Sequence, residues 1–238
     1  MKKIILVAFV LVSFCATAQT LKGLKDKVKS STGSKSGLTN EEVVKGLKEA
    51  LSVGTNNSAS MASKLDGYYK NPKIFIPWPS EARDMKTKLT QMGFSKKIEE
   101  FEMSLNRAAE EAALKAAPIF VSAVTNMSVE DGFAILKGAD TAATNYLRKS
   151  TYTSLKEQFT PVVKEAIEKV KVTSYWQPLA NAYNKLPLVK KQNPNLDEYV
   201  TEKAINGLMT LIADEEIKIR KDPAARVSDL LKKVFGKP

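Results

Sequence analysis

From Leu38 onward the chain is punctuated by helix starts and stops, and it nowhere alternates apolar and polar residues over the length of a strand. That pattern predicts an all-α fold. Thr39 followed by Glu42 reads as a capping box, in which a hydroxyl and a carboxylate each satisfy an unpaired amide at a helix start. Val43, Val44, Leu47, Ala50 and Leu51 then recur at three and four, as a buried helix face should, and predict a helix to about Leu65. Asn71-Pro72 and Pro77-Trp78-Pro79 bracket Ile74-Phe75-Ile76, so Tyr68 to Pro79 is expected as one short extended, proline-rich segment packed on the bundle. Ser80 and Gly93 bound the next helix. Ser95 opens a long one through Ile98, Phe101, Leu105, Ala108 and Ala112, broken or kinked at Pro118. Ser128 with Asp131 caps a short helix ending near Gly138, and Asp140 caps one carrying Ala142, Ala143, Tyr146 and Leu147. Tyr152 to Val170 and Ser174 to Leu186 are expected as two further helices, with Pro161 and Pro178 as breaks or first-turn residues. A loop with Pro187 and Pro194 leads to a long helix from about Leu196 to Arg220. Asp222 as N-cap, Pro223 in the first turn and Gly236 past the end mark the last helix. The sum is one multi-helix, bundle-like domain over residues 38–238 with roughly nine or ten helices, and no repeat at a solenoid period.

The first residues carry a different message. Lys2 and Lys3 precede an apolar stretch, Ile4 to Phe14, and Ala16-Thr17-Ala18 gives a small-x-small pattern. This is the layout of a secretory signal peptide over residues 1–18, cleaved near Ala18-Gln19. Its eleven-residue apolar region is well short of the ~20 needed to span a bilayer. A periplasmic or secreted location is therefore expected. Gln19 to Gly37 sets Lys22, Lys25, Lys27, Lys29 and Lys35 against the single acid Asp26, with Leu21, Leu24 and Val28 at helical spacing and a Ser/Gly linker after them. A basic amphipathic leader of this kind can lie on an anionic membrane surface. The formal net charge of +11 has two readings in an exported chain, one in which it serves solubility alone and one in which it meets an anionic envelope surface; it points away from nucleic acid.

Two absences restrict the chemistry. The chain has no histidine, and its one cysteine, Cys15, lies in the signal peptide. Ser-His-Asp and Cys-His nucleophilic mechanisms are excluded, as are the usual ligands of zinc, copper and non-haem iron sites and the Glu-x-x-His pattern of di-iron bundles. No EF-hand or glycine-rich phosphate loop is present, so no metal and no cofactor is expected. The remaining polar candidates fall in three clusters. Asn106, Arg107, Glu110 and Glu111 form the first; Asn106 and Glu110 share a helix face among alanines that permit close helix approach. Asp140 to Tyr146, with Thr144 and Asn145, forms the second. Tyr199, Thr201, Glu202, Asp214, Glu215, Glu216 and Arg220 form the third. Two readings stand side by side. One makes these residues caps and ion pairs, with Asp140 and Asp222 as N-caps and Glu216–Arg220 as an ordinary surface pair. The other makes Asn106, Arg107, Glu110, Asp140, Asn145, Glu215 and Arg220 the lining of a polar pocket, where Arg107 or Arg220 forks onto an anionic group.

Several segments then recur in a familiar order. They are Gly46-Leu47-Lys48-Glu49-Ala50-Leu51, Ile74-Phe75-Ile76-Pro77, Leu105-Asn106-Arg107-Ala108-Ala109-Glu110, Asp140-Thr141-Ala142-Ala143-Thr144, Tyr199-Val200-Thr201 and Asp222-Pro223-Ala224-Ala225-Arg226. Together they resemble the family of exported bacterial proteins known as domain of unknown function 4197, over about Leu38 to Gly236. The resemblance implies an exported, helical, single-domain protein and brings no activity or cofactor with it. The functional expectation is an exported, periplasmic, non-enzymatic binding domain for an envelope protein or a small anionic ligand. One alternative is a hydrolase of envelope glycan that works through a carboxylate pair, with Glu110 and Glu215 as its best candidates. The other is a protein that sits on an anionic membrane surface through its basic leader.

Overall fold

Residues 37–236 are described by a computed structural model of the chain. The signal-peptide and leader readings fall on residues 1–36 and lie outside the described residues. Helix α1 (Asn40–Ala62) starts under the expected capping box: the Thr39 hydroxyl accepts the Glu42 N–H at 3.2 Å, and the Glu42 carboxylate accepts the Thr39 N–H at 3.1 Å. It stops short of Leu65, and the chain turns away through Asp66 at φ +67°. A non-helical stretch follows to Pro79, but it is not extended throughout as expected: hydrogen-bonded turns run to Ile74, and the longest run free of turns and bends is residues 75–77. A 3₁₀ turn (Ser80–Ala82) leads into α2 (Arg83–Gln91), which Gly93 ends at φ +85°. Helix α3 (Ser95–Ala113) and α4 (Ala116–Asn126) are separated just before Pro118, which sits in the first turn of α4 where a missing N–H costs nothing.

Helix α5 (Gly132–Leu136) is capped by Asp131, whose carboxylate accepts the Ala134 N–H at 2.9 Å. Next, α6 (Ala142–Val170) corrects two expectations. It is one continuous helix, not two, and Pro161 lies inside it. Pro161 is on the solvent face, where the carbonyl it strands can reach water, while Leu155, Phe159 and Val163 hold the buried face in register. The helix is also not capped by the Asp140 side chain; its N-terminal residue is preceded by Thr141, which makes no side-chain cap either. Lys171, at φ +59°, turns the chain directly into α7 (Val172–Asn184). Helix α8 (Leu196–Lys221) begins under Asn195, whose side chain accepts the Glu198 N–H at 3.1 Å. The final segment also differs from expectation. Asp222 and Pro223 form only a 3₁₀ turn (Pro223–Ala225), and α9 (Asp229–Phe235) starts later under Ser228 before reaching Gly236. Among the described residues there are nine α-helices and no strand.

The architecture is organised by α8. Val200, Ala204, Ile205, Leu208, Met209, Leu211, Ile212 and Ile219 are buried on several sides of it, so it is an interior helix rather than an amphipathic one. It packs against α1 and α6 and, less extensively, against α3; α3 also packs against α6 and α7, and α4, α5 and α9 close over α1. Close approach is built in by small residues. A Cβ on Gly207 would meet the Tyr68 ring at 2.8 Å, and one on Gly46 would meet Val234 at 2.6 Å. At the other end, Trp78, Phe101 and Trp176 stack with centroids 5.1–5.4 Å apart. Each such pair adds about 0.5–1.5 kcal/mol beyond its burial. No helix of the described residues is long and apolar enough to cross a membrane.

Candidate functional site

The first polar cluster is built on α3, and its partners are backbone groups of the non-helical stretch after α1. Asn106 is fully buried. Its Oδ1 accepts the Ile76 N–H at 2.8 Å, and its Nδ2 donates to the carbonyls of Ile76 at 2.9 Å and Glu102 at 2.8 Å. One carboxamide thus plays the part of a neighbouring strand. One turn on, Glu110 Oε1 accepts the N–H groups of both Tyr68 and Tyr69 at 3.1 Å. Its Oε2 takes Arg107 at 2.6 Å, and the other arm of Arg107 reaches Asp66, also at 2.6 Å. The Arg107 guanidinium lies over the Tyr69 ring, 5.4 Å from its centroid. Lys70 and Arg107 together hold the Asp66 carboxyl below its ordinary range. Glu102 accepts the Trp78 N–H at 2.9 Å, and the buried Tyr68 hydroxyl donates to the Ala204 carbonyl at 2.8 Å. Tyr199 donates to the Pro77 carbonyl at 2.9 Å, and burial beside Glu81 and Glu102 pushes its phenol up to about 12. The carboxamide of Asn106, the carboxylate of Glu110 and both terminal nitrogens of Arg107 are taken up by groups of the protein itself.

The second and third clusters interlock on α8. Glu216 is buried beneath the start of α6. It accepts the Ala143 N–H at 3.0 Å, and the Thr144 N–H and hydroxyl at 2.7 Å each. A glutamate from another helix thus supplies the cap that Asp140 was expected to give. Asp140 is half exposed and instead pairs with Lys221. Arg220 Nε donates to Glu216 at 2.9 Å, while its terminal nitrogens reach the carbonyls of Leu136 at 2.7 Å and Ile135 at 3.2 Å. The Glu216–Arg220 pair is therefore not the surface pair of the sequence reading. It is buried and ties three helices, α5, α6 and α8, together. Arg226 closes the end of α8 by donating to the carbonyls of Ile219 and Arg220 at 3.0 and 2.9 Å.

The residues expected to line one pocket do not converge. Asn106, Arg107 and Glu110 act together on α3, as their spacing required. Glu216 and Arg220 act together on α8. Asn145 is exposed and bonds only Thr141, at 3.2 Å. Glu215 is turned about 100° around α8 from Glu216 and faces α1 instead, accepting from Asn57 at 2.7 Å and pairing with Lys218. Glu110 and Glu215 share no partner. Glu110 works through Tyr68, whose ring meets α8 at Gly207, eight residues or about 12 Å along the axis from Glu215. Asp214 and Glu202 pair with Lys73 and Lys156, and Glu111 pairs with Lys169. No group of three carboxylates that would hold a metal ion occurs among the described residues.

Two clefts lie elsewhere. One, of about 360 Å³, is walled by Leu38, Phe133, Leu136, Val234 and Phe235, between α5 and α9. Arg220 forms part of its wall, with the guanidinium 5.6 Å from the Phe235 centroid. Lys137 stands exposed at its edge, 5.7 Å from the Phe133 centroid, and has no carboxylate partner among the described residues. The other cleft, of about 370 Å³ between α4 and α6, is lined by uncharged hydroxyls and amides including Ser122, Asn126, Tyr146, Ser150 and Gln158. Neither cleft was legible as local pattern, since each joins helices far apart in the chain. Glu216 was legible in principle: it sits at i+4 from Ile212 in a buried stripe.

The model of a family described as protein of unknown function (DUF4197) matches residues 37–236, and the chain belongs to that family. No curated protein and no solved structure matches it.

Proposed function

We propose that this chain is a non-enzymatic binding domain, exported by its signal peptide, whose α5–α9 cleft takes a small anionic amphiphile such as a fatty acid or a lysophospholipid. The observation that carries the reading is the cleft itself: apolar walls from Phe133, Leu136, Val234 and Phe235, with the ammonium of Lys137 at its margin. An acyl chain would lie along those walls, and its charged end would meet Lys137. Arg220 is already bound to Glu216 and to two carbonyls, so its part is to hold the wall in place rather than to grip the ligand. The glycan-hydrolase alternative has less support. Such a reaction needs a carboxylic acid and a carboxylate facing one another across a substrate, and Glu110 and Glu215 are each engaged by their own separate donors.

Calorimetric titration of the purified chain with lysophosphatidylglycerol tests the reading. Saturable binding is expected, abolished by Phe133→Asp and weakened about tenfold by Lys137→Glu, a charge reversal worth about 1.4 kcal/mol. Absence of binding, or binding unchanged by both substitutions, would remove the proposal. Export is tested apart from this, by the N-terminal sequence of the protein recovered from its host; a chain beginning at Gln19 is expected.

A further inference from the structure

The loop between α7 and α8 has an organisation that packing does not explain. Asn184, the last residue of α7, accepts the Gln192 N–H at 3.0 Å and donates back to the Gln192 carbonyl at 3.4 Å. That exchange closes residues 184–192 into a braced loop. Within it, Leu186 and Val189 pack against the core. Leu188, between them, is fully exposed and held at φ +58°. A leucine gains nothing from that conformation, and its Cβ makes the left-handed region costly. Strain of this kind at an exposed apolar tip marks a segment kept for something other than folding. The charge around it is one-sided: between Tyr183 and Leu196 there are three lysines, Lys185, Lys190 and Lys191, and no acid. None of the three has a carboxylate partner among the described residues. A fourth cation, Lys88 of α2, lies 6.0 Å from the Tyr183 centroid.

We infer that this loop is a docking tip for an anionic lipid surface: Leu188 enters the headgroup region, and Lys185, Lys190 and Lys191 meet lipid phosphates. The inference is independent of the α5–α9 cleft and of the basic leader. A protein partner fits less well. A stable protein interface buries about 800 Å² on each side around an apolar centre, and one leucine ringed by flexible lysines offers little of that. A bilayer surface asks for no shape complementarity. It asks for an apolar anchor and a few cations, each lysine near an anionic surface raising affinity by about fivefold.

The test places a reporter at the tip. In the full chain carrying Leu188→Trp, vesicles of phosphatidylcholine with phosphatidylglycerol are expected to shift the added indole emission to the blue. Pure phosphatidylcholine vesicles leave it in place, and raised salt reverses the shift. The native Trp78 and Trp176 are buried and supply a constant background. Replacing the three lysines by serine in the same chain is expected to lower the apparent affinity of the indole response about a hundredfold. Far-UV circular dichroism checks that each variant is folded. Sedimentation with the vesicles while the indole stays water-exposed would overturn the inference, because another part of the chain would be the anchor. Absence of sedimentation would overturn it as well. So would a blue shift without lipid that grows with protein concentration, which would assign the tip to a second copy of the chain.

Discussion

Two non-helical stretches of this molecule are treated in opposite ways. Residues 63–79 carry three prolines and the bundle grips them from inside: Asn106, Glu110 and Glu102 accept the N–H groups of Ile76, Tyr68, Tyr69 and Trp78. Residues 185–195 receive no such help. They are closed by one exchange with Asn184 and present a bare leucine and three lysines to the outside. The contrast shows what buried polar side chains are for in this fold. A chain segment that cannot be helical leaves amides that must be satisfied away from water, and α3 carries the acceptors for one such segment. Asn106, Arg107 and Glu110, which look like part of a site in the sequence, are spent on that work.

The contrast breaks first if the gripped segment turns out not to need its grip. Asn106→Leu should destabilise the protein by about 4 kcal/mol in denaturant unfolding, because the N–H and carbonyl of Ile76 are stranded in the interior. A loss within about 0.5 kcal/mol, the range of a surface change, would break it. Next in size is Gly207→Ala, expected to cost about 2 kcal/mol by overpacking against the Tyr68 ring, again read from the shift in unfolding midpoint.

A smaller effect sharpens the account through pH. Asp66 has its carboxyl held below its ordinary value of 3.8 by Lys70 first and Arg107 second. Its contribution is therefore full above that pH and is lost as pH falls through the lowered value. In Asp66→Asn, which still tolerates the left-handed backbone there, acid melting curves should fall less steeply than in the native chain. The smallest effect is at the ungripped loop. Leu188→Gly, which removes the Cβ from the left-handed position, should change stability by no more than about 0.5 kcal/mol, since relieved strain offsets the backbone freedom glycine adds to the unfolded chain; a clear loss would break the contrast.

How much of this was legible depended on whether the responsible contact was local. The Thr39–Glu42 capping box, the long helices over Ser95–Ala113 and Leu196–Lys221, and the non-helical character of the proline-rich stretch follow from neighbours within a turn or two, and the pattern reads them. Pro161 misled because its effect depends on which face of α6 it occupies, and that face is fixed by the buried Leu155, Phe159 and Val163. Asp140 misled because a cap can come from another helix: Glu216, more than seventy residues away, took the position. The joining of α6 to α7 through Lys171 at positive φ carries no glycine to announce it. That Asn106 and Glu110 share a helix face was legible from their spacing, but their partners were not, since nothing in the spacing says whether a buried carboxylate faces a ligand or a loop. The two clefts had no local signal at all.

Hydrogen exchange of the Glu110→Ala chain, followed at the amides of Tyr68 and Tyr69 and on to Trp78, tests the central claim most directly. If the buried polar clusters exist to hold the chain, those amides lose their protection selectively, while the α1 and α8 cores keep theirs relative to the global opening. Unchanged protection at Tyr68 and Tyr69, with the folded protein otherwise intact, would contradict it. Glu110 would then be free for another partner, and the polar cluster on α3 would have to be read as a site.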